Sequence, residues 1–290
     1  MPMSETIELT CVDGATLPAT IQRARDGHPG SRPAVVIAPA LGVPRRFYLK
    51  FAAYLGDRGY DSLCFDYRGI EGAGREIDLA DVRLEHWGER DLQAALLAAR
   101  ARFGDGPLYL VGHSIGGQIP GLAAASETLA GLVLVAASAP YPARYPLRDR
   151  LQIELMWRVL VPLLGRGRLF PARKVGFASI DLPGSVVRRW RDWGLTPNYL
   201  FDVRHGLDTT RYARLALPLL AWSFGDDSYA SRAAVEALLA HYPAAQLTHR
   251  HVDPKPGQAL GHFGYFRESQ RDTLWRETAD WLEAARTRPR

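Results

Sequence analysis

Gly112-His113-Ser114-Ile115-Gly116 places a serine between two glycines, each two residues away, directly after the apolar run Leu108-Tyr-Leu-Val111. This G-x-S-x-G spacing suits a nucleophile held on a sharp strand-to-helix turn. The backbone at such a turn is strained, and side chains two residues to either side would collide; glycine removes both collisions. A helix starting just after Ser114 aims free N–H groups at the place where negative charge develops during attack on a carbonyl. The pattern by itself recurs by chance in a chain with 27 glycines. Its context carries the argument, because a buried-type strand runs into it and a small-residue helix, 116–125, runs out. Pro120 removes a hydrogen bond to the Gly116 carbonyl and predicts a kink in that helix.

The elements that must position this serine alternate along the chain. Ile7 to Val12 and Thr16 to Ala24 read as a hairpin joined at Asp13-Gly14. Short strands, most of them apolar, follow at 34–38, 61–65, 108–112, 132–136, 218–224 and 246–252. Amphipathic helices are expected at 46–57, with Phe47, Phe51 and Leu55 on one face, and at 89–102, with Leu92, Ala95, Leu96 and Ala99 on one stripe. Further helices are expected at 231–239 and 268–285. Continuous apolar strands separated by helices imply an α/β fold, a mostly parallel eight-stranded sheet covered on both faces.

In such a sheet the partners of the serine lie in loops at the carboxyl ends of later strands, in the order serine, acid, histidine. The strand 218–224 ends in Gly225-Asp226-Asp227-Ser228. Asp227 is the expected acid, since one more residue lets its side chain turn toward a following histidine. Asp226 is left to cap a helix or to hold the loop. Of the later histidines, His241 ends a helix as a surface group. His249 and His251 share one strand face and lack a third metal ligand. His262, in Leu260-Gly-His-Phe-Gly264, sits in a glycine-flanked loop from which a general base reaches both serine and carboxylate. The expected oxyanion donors are the amides of Ile115 and of Leu41, the latter in the loop Pro39-Ala-Leu-Gly42.

With these residues in place the chain resembles the α/β-hydrolase superfamily over nearly its whole length. The likeness is nearest to bacterial predicted hydrolases of the serine aminopeptidase and monoacylglycerol lipase-like group. It rests on Gly-His-Ser-Ile-Gly-Gly117, Asp66-Tyr-Arg-Gly69, Gly225-Asp-Asp227 and Gly261-His-Phe-Gly264. Where many relatives carry His-Gly, this chain has Pro39-Ala40; the backbone donor survives and the pocket wall differs. The resemblance implies hydrolysis of an ester, thioester or amide without a cofactor.

Residues 139–215 interrupt the alternation and are expected to form a helical cap, with 1–138 and 216–290 as the core domain. In the cap, Trp157, Trp190 and Trp193 are candidate substrate-binding residues, against the alternative that they pack the cap onto the core. Residues 141–215 hold 14 Arg or Lys against 6 Asp or Glu. Arg188, Arg189 and Arg191 there either recruit an anionic substrate or form a solvated face.

The 290 residues, 47% hydrophobic and 23% charged, suit an ordinary globular protein. No apolar stretch is long enough to span a membrane, no export signal opens the chain, and Cys11 and Cys64 read as buried small hydrophobes. The expectation is a cytoplasmic serine hydrolase of small to medium acyl esters or thioesters, without metal or cofactor, without nucleic acid, and with a homodimer left open. Two alternatives stand beside it: an acyltransferase using the same triad, and a non-catalytic binding protein on the same fold.

Overall fold

The structure, a computed structural model, describes residues 4–25, 32–176 and 178–287. Eight strands form one sheet: β1 (Ser4–Thr10), β2 (Thr16–Gln22), β3 (Ala34–Ala38), β4 (Asp61–Phe65), β5 (Leu108–His113), β6 (Gly131–Val135), β7 (Pro218–Phe224) and β8 (Gln246–Val252). Their spatial order is β1-β2-β4-β3-β5-β6-β7-β8. The β1–β2 and β2–β4 pairs are antiparallel and the others parallel. Every residue of β3, β4, β5 and β6 is buried, which accounts for their unbroken apolar sequence. From β3 the chain passes to one side to make β4 and returns on the other as β5. The carboxyl ends of β3 and β5 thus flank a switch point, where this kind of sheet opens a crevice.

The helices follow the sequence pattern with three differences. Helix α1 (Leu49–Asp57) buries Phe51 and Leu55, but Phe47 precedes it in a 3₁₀ turn (Arg45–Tyr48) and is 38% exposed; Tyr48 takes the buried place instead. Helix α2 (Gln93–Phe103) buries Ala95, Leu96 and Ala99 as expected, and a π turn (Trp87–Leu92) leads into it. Helix α3, after the serine, runs only over Ile115–Gln118. Instead of a kinked helix to residue 125, two 3₁₀ turns follow, Pro120–Leu122 and Ala124–Thr128. Pro120 has no N–H for the Gly116 carbonyl, and the ladder ends there.

Residues 139–215 are mainly helical. Helix α4 (Leu147–Leu155) continues through a π turn (Met156–Leu160) into Val161–Leu164, and α5 covers Gly184–Gly194. Hydrogen bonds tie this segment to the rest of the molecule. Ser179 Oγ donates to the Gly42 carbonyl at 2.9 Å and Ser185 Oγ to the Leu79 carbonyl at 2.9 Å. Arg188 is exposed and Arg189 and Arg191 are partly buried, and each bonds within the protein. Arg188 donates to the Gly165 carbonyl, Arg189 pairs with Glu85 at 3.0 Å, and Arg191 donates to the Trp157 carbonyl at 2.6 Å.

Helix α6 (Arg232–Leu239) is capped by Ser231, whose Oγ accepts from the Ala234 amide at 3.2 Å. Helix α7 (Arg276–Thr287) follows a π turn (Arg271–Trp275). Both cysteines are buried and free, and burial pushes each thiol up to about 12. Among the described residues no helix is long and apolar enough to cross a membrane.

Candidate active site

Strand β5 delivers Ser114 at its carboxyl end in a backbone conformation of φ 52° and ψ −118°. For a non-glycine residue that region costs on the order of 1–3 kcal/mol and persists only where the surroundings enforce it. They do so by close approach. A Cβ on Gly112 would lie 2.4 Å from the Gly116 carbonyl oxygen, and one on Gly116 would lie 2.2 Å from the Ala38 carbonyl oxygen at the end of β3. Both glycines are therefore required by contact, and the second packs the turn against the start of the 39–43 loop.

That loop and the turn present the two amides expected to act as donors. Leu41 lines a cavity together with Ser114, and Ile115 is the first residue of α3, where an amide has no intrahelical acceptor. Among the described residues neither amide meets an acceptor.

From β7, Asp227 reaches His262: Oδ2 stands 2.8 Å and Oδ1 3.1 Å from Nδ1. Oδ1 also accepts from the amides of Tyr229, at 2.8 Å, and Ala230, at 3.0 Å. The carboxylate is fully shielded from solvent, and the histidine side chain is nearly so. A carboxylate only accepts, so Nδ1 of His262 carries a proton, and in the neutral ring Nε2 is the nitrogen left with a lone pair. Asp226 holds the loop, as one of its two expected roles required; its oxygens accept from the amides of Leu260 and Gly261, each at 2.9 Å. The two neighbouring carboxylates thus hold the histidine ring and the two loop residues before it.

His262 and Ser114 line one cavity, with Leu41, Gln118, Trp190, Tyr229 and Phe263 among its walls. Among the described residues no hydrogen bond reaches the Ser114 hydroxyl, so the network that begins at Asp227 ends at His262. The cavity holds about 30 Å³ of water-accessible space, about enough for one or two water molecules. Of the three candidate tryptophans only Trp190 reaches it. Trp157 and Trp193 do not line it, because both are buried in packing: Trp157 meets Trp190 edge-on at 4.5 Å, and Trp193 meets Tyr199 at 5.7 Å. Trp190 is held by a chain of bonds, its Nε1 donating to the Tyr199 hydroxyl at 2.9 Å, which donates to Gln118 Oε1 at 2.6 Å.

Two further residues belong to the site that the sequence did not single out. His113 is fully buried, with Nε2 2.9 Å from the His262 carbonyl and Nδ1 2.8 Å from the Tyr48 hydroxyl. The carbonyl only accepts, so Nε2 carries the proton and Nδ1 receives the hydroxyl hydrogen of Tyr48. The Tyr48 oxygen in turn accepts from the Ala40 amide at 2.8 Å. One chain of bonds therefore joins the 39–43 loop, the residue before Ser114 and the backbone of His262. Burial drives the His113 pKa well below its ordinary value, which keeps the ring neutral as this chain of bonds requires.

The other histidines weighed from the sequence lie elsewhere. His249 and His251 each stand 2.8 Å from the Ser223 hydroxyl, and among the described residues no cluster suited to a metal ion occurs. His241 is half-buried rather than a surface group, stacked on Phe201 with ring centroids 3.4 Å apart.

A sheet of this order, with a strained strand-to-helix turn at its switch point and later loops converging on it, is the α/β-hydrolase architecture. The chain belongs to the alpha/beta hydrolase family, whose profile matches residues 35–276. No curated protein matches its sequence. Solved structures share the fold at low identity. A soluble variant of monoglyceride lipase from Saccharomyces cerevisiae, in complex with a substrate analogue, is 16% identical with a TM-score of 0.68, over 100% of this chain and 96% of that one. Est1E from Butyrivibrio proteoclasticus is 17% identical with a TM-score of 0.62, over 98% and 99% of the two chains. An esterase from Exiguobacterium antarcticum is 14% identical with a TM-score of 0.62, over 96% and 100%.

Proposed function

We propose that the protein is a serine hydrolase that cleaves a carboxylic ester or thioester of a small to medium acyl group through an acyl-enzyme. The observation that carries this reading is the doubly anchored His262, with Nδ1 on Asp227 and its ring in the same cavity as Ser114. In the proposed reaction His262 Nε2 takes the Ser114 proton as Oγ attacks the acyl carbon. The Leu41 and Ile115 amides receive the developing oxyanion, and His262 returns the proton to the leaving oxygen or sulfur. Water activated by the same nitrogen then releases the acid and restores the hydroxyl.

The cavity walls favour a neutral acyl group. Leu41, Trp190, Tyr229 and Phe263 are apolar or aromatic, and among the described residues neither arginine nor lysine lines the space. Because about 30 Å³ cannot admit an ester, residues 139–215 act in this reading as a cap that yields at Trp190. The esterases and the monoglyceride lipase among the structural neighbours accord with ester chemistry.

The test is reaction of the purified protein with a fluorophosphonate probe and mapping of the modified residue by mass spectrometry. Labelling is expected at Ser114 and absent in Ser114→Ala. Turnover of a short-chain ester should fall by roughly 10³-fold or more in Ser114→Ala and in His262→Ala. A folded protein that takes no label and turns over no ester or thioester would overturn the enzymatic reading.

A further inference from the structure

The outer face of the helix that begins at Leu147 has no part in the cavity or its supports. Among the described residues thirteen large apolar side chains are exposed, and seven of them fall within residues 147–169. Five form a series at every fourth position: Leu147, Leu151, Leu155, Val159 and Leu163, each between 42% and 72% exposed. In a regular α-helix a four-residue repeat drifts steadily round the axis. The π turn at Met156–Leu160 unwinds the helix midway and holds the series nearer one side. Trp157 and Val161 bury the opposite face.

The same stretch concentrates the positive charge of the protein. Residues 147–174 hold seven Arg or Lys against two acidic residues, a net +5, equal to the net charge of the entire chain. Arg148, Arg150 and Arg166 beside the series are exposed.

We propose that this face docks on an anionic lipid surface. A helix with aliphatic side chains on its outer face and arginines beside them lies in the plane of a bilayer interface. Its leucines enter the acyl boundary by about 5–10 Å while its cations meet the headgroup phosphates. Other occupants fit less well. A second copy meeting the patch symmetrically would bring two surfaces of the same positive charge together. A nucleic acid would engage the arginines and leave the leucines in water. The docked face lies close behind the cavity wall, because Trp157, on the inner side of the same helix, touches Trp190. The inference does not depend on the acyl-enzyme reading.

The test is co-sedimentation of the full-length protein with vesicles of phosphatidylcholine alone and of phosphatidylcholine mixed with phosphatidylglycerol. Binding to the anionic vesicles is expected to be at least about tenfold tighter than to the neutral ones. The double variant Leu151→Glu/Leu155→Glu should lose about tenfold or more, and Arg148→Gln/Arg150→Gln should lose affinity for the anionic vesicles alone. Leu97→Glu, on exposed surface of α2, should bind as the parent does. Unchanged far-ultraviolet circular dichroism and an unchanged urea-unfolding midpoint would show that the variants are folded. Equal binding to both vesicle types, or binding unaffected by both double variants, overturns the proposal. So does a dimer, seen by sedimentation velocity, that Leu151→Glu/Leu155→Glu dissociates while the parent ignores vesicles.

Discussion

Asp226 and Asp227 are chemically identical neighbours, and two different sets of donors separate them. Asp227 meets an imidazole N–H and two amides of its own turn, whereas Asp226 meets two amides of the opposite loop. Replacing Asp227 by Asn offers His262 Nδ1 a partner that can also donate, which admits the wrong tautomer; turnover is expected to fall by about 10³- to 10⁴-fold. Asp226→Asn keeps one acceptor for the loop amides and should lower turnover by about tenfold. Steady-state kinetics of the two variants side by side decide the assignment, and the opposite ranking would move the acid to Asp226. The pairing of Asp227 with His262 was legible because strand order and loop position constrain it. The roles of His113 and Tyr48 were not legible. The G-x-S-x-G pattern leaves position 113 free, and the partners of His113 lie 65 and 149 residues away in sequence. The tryptophans divide between the two alternatives, Trp190 lining the cavity and Trp157 and Trp193 packed away from it, since counting aromatics in a segment does not say which face of its helices is turned to the cavity. The Asp66-Tyr-Arg-Gly69 motif likewise serves the framework: Arg68 is fully buried against Asp91 and Asp13, and a Cβ on Gly69 would lie 2.5 Å from Pro183.

Tyr48 shows how a short element governs larger ones. It ends the 3₁₀ turn before α1, and its hydroxyl links the loop after β3 to His113 at the end of β5. Tyr48→Phe removes that hydroxyl alone and leaves the Ala40 amide and His113 Nδ1 buried without partners. Stability should fall by about 1–3 kcal/mol. Because the neighbouring Leu41 amide is the proposed oxyanion donor, kcat should fall by about tenfold with KM nearly unchanged. A loss of stability with unaltered kcat would reduce Tyr48 to packing. The strands 34–38, 61–65, 218–224 and 246–252 were read from the sequence to the residue, since turn-forming residues bound them. Helix boundaries were less legible. The π turns at Trp87–Leu92, Met156–Leu160 and Arg271–Trp275 add residues that a period of 3.6 does not announce.

Over the whole molecule, ionisation is divided between an outer basic surface and an interior that keeps its histidines neutral. Of eight histidines, His86, His113, His205, His241 and His249 have pKa values below the ordinary 6.5, in each case first through burial, and His86 is brought to about 4. Above that ordinary value these rings are neutral in both folded and unfolded chains, and their contribution to stability is intact. As the pH falls below it, the unfolded chain takes up protons that the folded one refuses, and stability is lost toward each folded pKa. Three carboxyls, Asp66 and Asp91 buried and Glu89 on partly exposed surface, act in the opposite sense. Burial raises Asp66 and Asp91, the latter to about 6, and partial desolvation raises Glu89, so the fold is relieved as they take up protons. Five imidazoles against three carboxyls should leave a net loss, beginning just below neutrality. Urea unfolding at pH 7.5 and pH 5.5 is expected to show the midpoint falling with pH, with a loss of about 1 kcal/mol or more. A midpoint that held or rose would mean that the buried carboxyls, Asp91 against Arg68 foremost, outweigh the histidines.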